Sequence, residues 1–245
     1  MKEYMRLEAL RTIRDPLYTT IAIAAPIGFY LLFAGLFGAS PHASGTLSGN
    51  VEIMVALAVF GGIWSCLVAT GPRIAFERNS GWLKNLQLLP ISPLAIFIGR
   101  FLIAVIFALP AMLLVYITAV VVHGVSLPAN QWAAMILLMW IGVWPFAIFG
   151  VILGYITSAE SSFGITFGIY QVVSALGGLW VPPAILPNSI LNIGKLLPTY
   201  QAADIGWHIA NGLYPTWVSG VNLLLWSLVF LIIIAIVAPR ATKIR

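Results

Sequence analysis

Charge is scarce in this 245-residue chain: charged residues make up 8%, apolar residues 61%, and the mean hydropathy is +1.01. Soluble domains carry roughly 25% charged and 45–50% apolar residues, so a water-soluble fold is excluded. Cysteine occurs once, at Cys66 in the middle of an apolar run, which rules out an intrachain disulfide and a cysteine metal cluster. Cys66 reads as small apolar filler. The three histidines, His42, His123 and His208, lie outside the interiors of the apolar runs, and no H-E-x-x-H or paired-aspartate motif accompanies them, which argues against an intramembrane protease. No G-x-x-x-x-G-K-[ST] loop is present: Gly194-Lys195 is followed by Leu196, so the chain has no phosphate cradle of its own. Ionisable groups are also missing from the centres of the apolar runs, Glu52 sitting at an outer end, whereas ion-coupled carriers place such groups there.

What is present is an ordered series of apolar segments. Read as spans they run over about Leu17–Phe37, Val51–Thr70, Leu94–Val122, Trp132–Ile156, Phe163–Val181 and Val218–Val237. Eleven of the twelve Lys and Arg residues then fall on one side: Lys2, Arg6, Arg11, Arg14, Arg73, Arg78, Lys84, Arg100, Arg240, Lys243 and Arg245, with Lys195 alone opposite. Cationic loops resist translocation, so this segregation implies six crossings with both termini cytoplasmic. Lipid head groups and insertion account for the net charge of +5, and no nucleic-acid site is read from it. The first apolar run is longer than a secretory h-region, and Glu3, Glu8 and Asp15 interrupt the basic start, so it is expected to be retained as a span. The whole chain, 1–245, forms one membrane domain.

Residues 1–16 form an expected amphipathic surface helix, with Met5, Ala9, Leu10 and Ile13 toward lipid, Arg6, Arg14 and the acids toward water, and a break at Asp15-Pro16. Pro26, Pro110 and Pro145 fall inside spans and are expected to bend them, chiefly to fit helices together. Gly150/Gly154 and Gly164/Gly168 are two small-xxx-small pairs that permit close helix approach. Trp132, Trp180, Trp207 and Trp217 cluster near outer helix ends as interfacial anchors.

The inner segment RIAFERNSGWLKNLQLLPIS, Arg73 to Ser92, is longer than a tight connection needs. Phe76, Leu83, Leu86 and Pro90 fall near a heptad apart while Arg78, Lys84, Asn85 and Gln87 point elsewhere, the pattern of a short amphipathic helix along the membrane. A purely structural surface helix shows the same periodicity.

Glu77-Arg78, Gly81, Leu83, Leu86, Pro90, Ile91 and Ser92 together resemble the E-R-x-x-G-T-L-x-x-L-x-x-x-P-[IV]-S segment of ABC transporter type 2 permeases, the membrane subunits of many bacterial exporters. A second stretch, Gly177 to Asp204, is similar to the outer segment of that family through Gly178, Pro182, Pro187, Pro198, Tyr200 and Asp204. The resemblance covers essentially the whole chain. Trp82 stands where the family usually has Thr, Asn79 replaces a second acid, and no Arg follows Asp204.

The resemblance implies an all-α integral membrane protein: six transmembrane helices, an amino-terminal amphipathic surface helix, a cytoplasmic coupling helix over 73–92, and an outer re-entrant hairpin within 182–217, between spans five and six. It implies that Glu77, Arg78, Gly81, Leu83, Lys84 and Leu86 contact a separate ATPase, with Glu160 in the next inner turn as a second contact or simply a solvated carboxylate. Two such ATPase subunits would bind the ATP and Mg, this chain holding no cofactor, and a second permease chain, identical or not, would complete the pathway in a bacterial cytoplasmic membrane. Phe29, Trp64, Trp144, Tyr155, Tyr170 and Gln171 are candidate pathway residues, and spans so poor in charge favour an apolar or amphiphilic cargo, such as a drug, an antibiotic natural product or a lipid-like molecule. Polysaccharide export is the alternative, followed by an ion-coupled carrier or channel, then a membrane enzyme.

Overall fold

A computed structural model describes residues 6, 8, 10, 11, 14, 16–38, 47–82 and 92–242, and among these the secondary structure is helical with no strand. Nine α-helices follow in order: α1 (Pro16–Phe37), α2 (Gly49–Asn79), α3 (Pro93–His123), α4 (Ala129–Gly142), α5 (Trp144–Ile156), α6 (Ala159–Leu176), α7 (Asn188–Gly194), α8 (Pro198–Ala210) and α9 (Trp217–Thr242), with a 3₁₀ turn at Pro183–Ile185 before α7. Local chemistry sets the ends. Ser92 Oγ accepts from the Ala95 amide at 3.2 Å, Pro93 supplies the preset first turn of α3, and Gly124 closes that helix at φ 62°. Ser158 caps α6 in the same way through the Ser161 amide at 3.3 Å.

α2 is the axis of the molecule. Of its most apolar 18-residue window 89% is buried, against 17% for α9, which shows most of its surface to the surroundings. α1, α3, α5, α6 and α8 pack around α2, and α9 packs on α5 and α8. Close approach comes from residues without side-chain bulk. A Cβ on Gly154 would lie 2.6 Å from Ile74 Cβ and 2.7 Å from the Gly71 carbonyl, and one on Gly150 would overlap Thr70 Oγ1. The Gly150/Gly154 pair therefore seats α5 on α2. Gly164 and Gly168 differ, since nothing lies within 4 Å of a Cβ at either.

Four helical segments among the described residues are long and apolar enough to cross a membrane: Gly49–Asn79, Leu94–His123, Ala129–Ile156 and Trp217–Ala238. The other two expected spans are helical but fall short of that measure. The apolar described stretch of the first is Ala24–Phe37, and the fifth is the 18-residue α6, diluted by Glu160, Gln171 and five hydroxyl residues. Those hydroxyls explain its low hydropathy without placing it in water. Ser162, Thr166, Tyr170 and Ser174, four residues apart, are all buried on one face, the Tyr170 hydroxyl donating to the Phe60 carbonyl on α2. Phe163, Phe167 and Val172 stand exposed on the other.

Several boundaries differ from the sequence reading. The second span does not stop near Thr70: α2 continues unbroken through Pro72 to Asn79, so 73–79 belong to the span rather than to a separate surface helix. Pro145 divides the fourth span into α4 and α5, because its ring nitrogen cannot donate to the carbonyl one turn back. Pro26 packs its ring where a Gly61 Cβ would otherwise sit, at 2.9 Å, which is a fitting role. Trp207 is core rather than an interfacial anchor, 8% exposed with its indole N–H donating to the Glu52 carbonyl at 3.0 Å, whereas Trp217 is exposed.

Candidate functional site

The basic end of the molecule carries a buried ionic cluster assembled from three separate stretches of chain. Glu77, on the last turn of α2, is 1% exposed. Its Oε1 accepts from Arg11 Nη1 at 2.5 Å and lies 3.7 Å from Arg73 Nε, one turn back; its Oε2 accepts from Arg100 Nη2, from the second turn of α3. Arg73 also pairs with Glu8 at 3.1 Å. Three guanidinium groups thus surround two carboxylates where the end of α2 meets the start of α3, with Glu8 and Arg11 contributed by the amino-terminal segment. Taking such charges out of water costs several kcal/mol per ion, a cost offset only by dense pairing of this kind.

Arg78 does a different job. Its Nη1 donates to the Gly154 carbonyl at 3.3 Å and to the Tyr155 carbonyl, and its Nη2 to the Thr157 carbonyl at 2.7 Å. The last carbonyls of a helix have no partners within it and carry its negative dipole end, so one guanidinium caps α5 from outside. The Glu-Arg pair therefore faces two ways, Glu77 tying α2 to α3 and the amino-terminal segment, Arg78 tying α2 to α5. Both were expected as surface charges for a partner protein; both are occupied inside the molecule, because the helix carries on past Thr70 and turns these positions toward its neighbours. Glu8, expected to reach water, is likewise buried.

Beyond the pair the chain turns at Gly81, whose φ of 76° suits a residue without Cβ, with open space around it. Trp82 is exposed, and the Arg11 guanidinium sits 5.7 Å from its ring centroid. Leu83, Lys84 and Leu86 lie outside the described residues. On the same end Glu160 is exposed at the start of α6, its carboxyl held below the usual value by its own backbone N–H and then by the Ser158 hydroxyl.

At the opposite end, Pro182 precedes the 3₁₀ turn, Pro187 precedes α7 and Pro198 opens α8. Tyr200 packs edge-on against Trp207, with centroids 5.6 Å apart. Asp204 Oδ2 accepts from Ser219 Oγ at 2.6 Å and from Thr216 Oγ1 at 3.4 Å, while Oδ1 lies 3.4 Å from His208 Nδ1. Trp226 donates to the Leu196 carbonyl at 2.9 Å, so α8 runs antiparallel beside α9.

The candidate pathway residues separate into groups. Phe29, Trp64 and Tyr170 join one aromatic cluster through Phe60, Trp64 stacking on Tyr170 at 5.3 Å, and Phe163 and Phe167 extend it to the exposed face of α6. Gln171 is the next residue on α6 and half-buried. Trp144 belongs elsewhere, edge-on to Trp140 and Phe101, and Tyr155 lies at the carboxy-terminal end of α5. The residues that sequence reasoning passed over as pairing groups are Glu8, Arg11, Arg73 and Arg100. Their signal was available: in a chain with only seven acids, Glu8 and Glu77 stand among the cations.

The sequence matches the ABC-2 type transporter family over residues 2–210. It is also similar to "Putative transport permease YvfS" of Bacillus subtilis (strain 168), with 24% identity over 228 residues that cover 92% of this chain and 91% of the relative. With the family matched over most of its length, across both the ionic cluster and helices α7 and α8, the chain belongs to the ABC-2 type transporters and is the membrane subunit of an ABC transporter.

Proposed function

We propose that this chain is the permease of an ATP-driven exporter in a bacterial cytoplasmic membrane, with six spans, both termini cytoplasmic and the α7–α8 segment dipping back into the outer leaflet. Two permease chains pair with two ATPase subunits, which bind ATP and Mg. The observation that carries this reading is the ionic cluster at the basic end. Through Glu77 and Arg78 it makes the inner ends of α2, α3 and α5 one rigid body with Arg11 of the amino-terminal segment, and Gly81 and Trp82 lead from it into residues 83–91 of the sequence. A push on that stretch moves three spans together. Glu77 supports the contact; Gly81, Trp82 and the residues after them make it, with Glu160 beside them.

The test is purification of the tagged permease with its genomic neighbours. A co-purifying ATPase whose hydrolysis rate changes on binding is expected, and a permease that purifies alone and transports without nucleotide would overturn the reading. Gly81→Ala forces a Cβ into a left-handed backbone, misdirecting the stretch that follows. Transport should fall severalfold while inserted protein and ATPase binding persist, as measured by substrate efflux and pull-down from the same membranes.

The cargo reading is apolar or amphiphilic. The Phe29–Trp64–Tyr170 cluster opens onto the exposed face of α6, where Gly164 and Gly168 leave room for a second chain, and no ion pair is found among these residues. In nanodiscs, hydrophobic drugs and lipids are expected to stimulate ATP hydrolysis by the assembled complex. Stimulation confined to charged sugars would transfer the assignment to polysaccharide.

A further inference from the structure

A cavity of about 370 Å³ lies between the α4–α5 break, α8 and α9, with no α6 residue in its lining. Its walls are Ile141 and Pro145 at the break, Ile205 on α8, Thr216 just before α9, and Gly220 and Leu223 on α9. It forms because Pro145 interrupts the fourth span and Gly220 contributes no side chain, nothing lying within 4 Å of where its Cβ would be. Trp144, expected on a cargo path, lines this cavity as well. A dry cavity of about 150 Å³ already holds a benzene molecule, so this one has room for a substantial apolar group.

We propose that this groove is a binding site for one acyl chain of a primary-amine phospholipid of the surrounding membrane, with its ammonium group at Asp204. Three features select that occupant. Leu224, on the rim, is 71% exposed on α9, the least buried of the four long apolar helical segments among the described residues, so the groove opens sideways to lipid rather than to water. Its lining extends from Thr216, just before α9, to Ser227, with about 15 Å of helical rise from the start of α9, a slot shaped for a chain rather than a compact molecule. Its polar end is anionic. Thr216, which lines the groove, donates to the Asp204 carboxylate, and Asp204, on the residue next to Ile205, is 15% exposed and so remains reachable. Ser219 occupies one of its oxygens and His208 faces the other at 3.4 Å, leaving lone pairs for a further donor. A primary ammonium brings three N–H donors and a charge; a trimethylammonium brings the charge without donors. The lipid is a fixed companion of the α8–α9 flank, separate from the cargo cluster on α2 and α6.

The test is native mass spectrometry of the full chain released from nanodiscs of phosphatidylethanolamine or phosphatidylcholine with identical acyl chains. Wild type is expected to retain phosphatidylethanolamine about tenfold better, the difference made by a charge-assisted hydrogen bond. Gly220→Phe fills the groove on a helix that gains from losing glycine, and should release both lipids without lowering the thermal midpoint. Asp204→Asn should keep chain binding and lose the head-group preference. Equal retention of the two lipids by wild type, or unchanged retention by Gly220→Phe, would overturn the proposal while leaving the permease assignment as it stands.

Discussion

Glu77→Ala is expected to destabilise the folded permease by about 3–5 kcal/mol, the cost typical of removing one partner from a buried charge pair. The size follows from geometry. The carboxylate is 1% exposed, and its removal takes an ion-pair partner from Arg100, whose side chain is 5% exposed, and another from Arg73, at 17%, which keeps Glu8. Arg11 is 43% exposed and can turn to water, so Arg11→Ala should cost less than about 1 kcal/mol. The measurement is the thermal midpoint and yield of inserted protein in detergent, followed by tryptophan fluorescence. Were Glu77 a surface charge serving only a partner protein, its loss would change stability by less than about 0.5 kcal/mol. An unshifted midpoint with lost transport would therefore place the carboxylate at an interface rather than inside the cluster. Glu77→Gln should fall between wild type and alanine, since it keeps the shape and one acceptor but removes the charge.

The second large effect is steric. Gly154→Leu should destabilise at the upper end of roughly 1–3 kcal/mol, because even its Cβ meets Ile74 Cβ at 2.6 Å and the Gly71 carbonyl at 2.7 Å. A carbonyl within a helix cannot rotate aside, so α5 must move off α2, carrying with it the carbonyls that Arg78 holds. Gly164→Leu is the control: it lies in an equally good small-xxx-small pair, yet its Cβ position is open, and the isolated chain should tolerate it within about 0.5 kcal/mol. Comparing the two midpoints checks the claim. Equal loss at both sites would mean that α6 is packed within the chain as tightly as α5.

The contrast between these glycine pairs shows where sequence stops being informative. Both have the same spacing, and only the packing says which one is used inside the chain. The Glu-Arg pair behaves similarly. Its place among the basic residues could be read from the charge pattern, but not that Glu77 turns toward Arg100, twenty-three positions away, and Arg78 toward Thr157 just past the end of α5. Direction depends on helical phase, and phase was misplaced by ending the second span near Thr70 when the helix runs on to Asn79. Hydropathy marks where a helix leaves lipid, whereas backbone hydrogen bonding continues beyond that point.

By itself the sequence determined the apolar medium and the helical class, and it set the expected sidedness of charge, because these depend on composition and on the cost of burying unpaired backbone and ions, which local order reveals. It also carried the two motif stretches that resemble the family. Only the tertiary structure decided which charges are consumed within the molecule, which aromatics share a cluster, and that Pro145 and Gly220 together open a groove on the α8–α9 flank. The physical reason is that each of these is a relation between side chains brought together by helix packing, and packing is fixed by shape complementarity over the whole bundle rather than by any one segment.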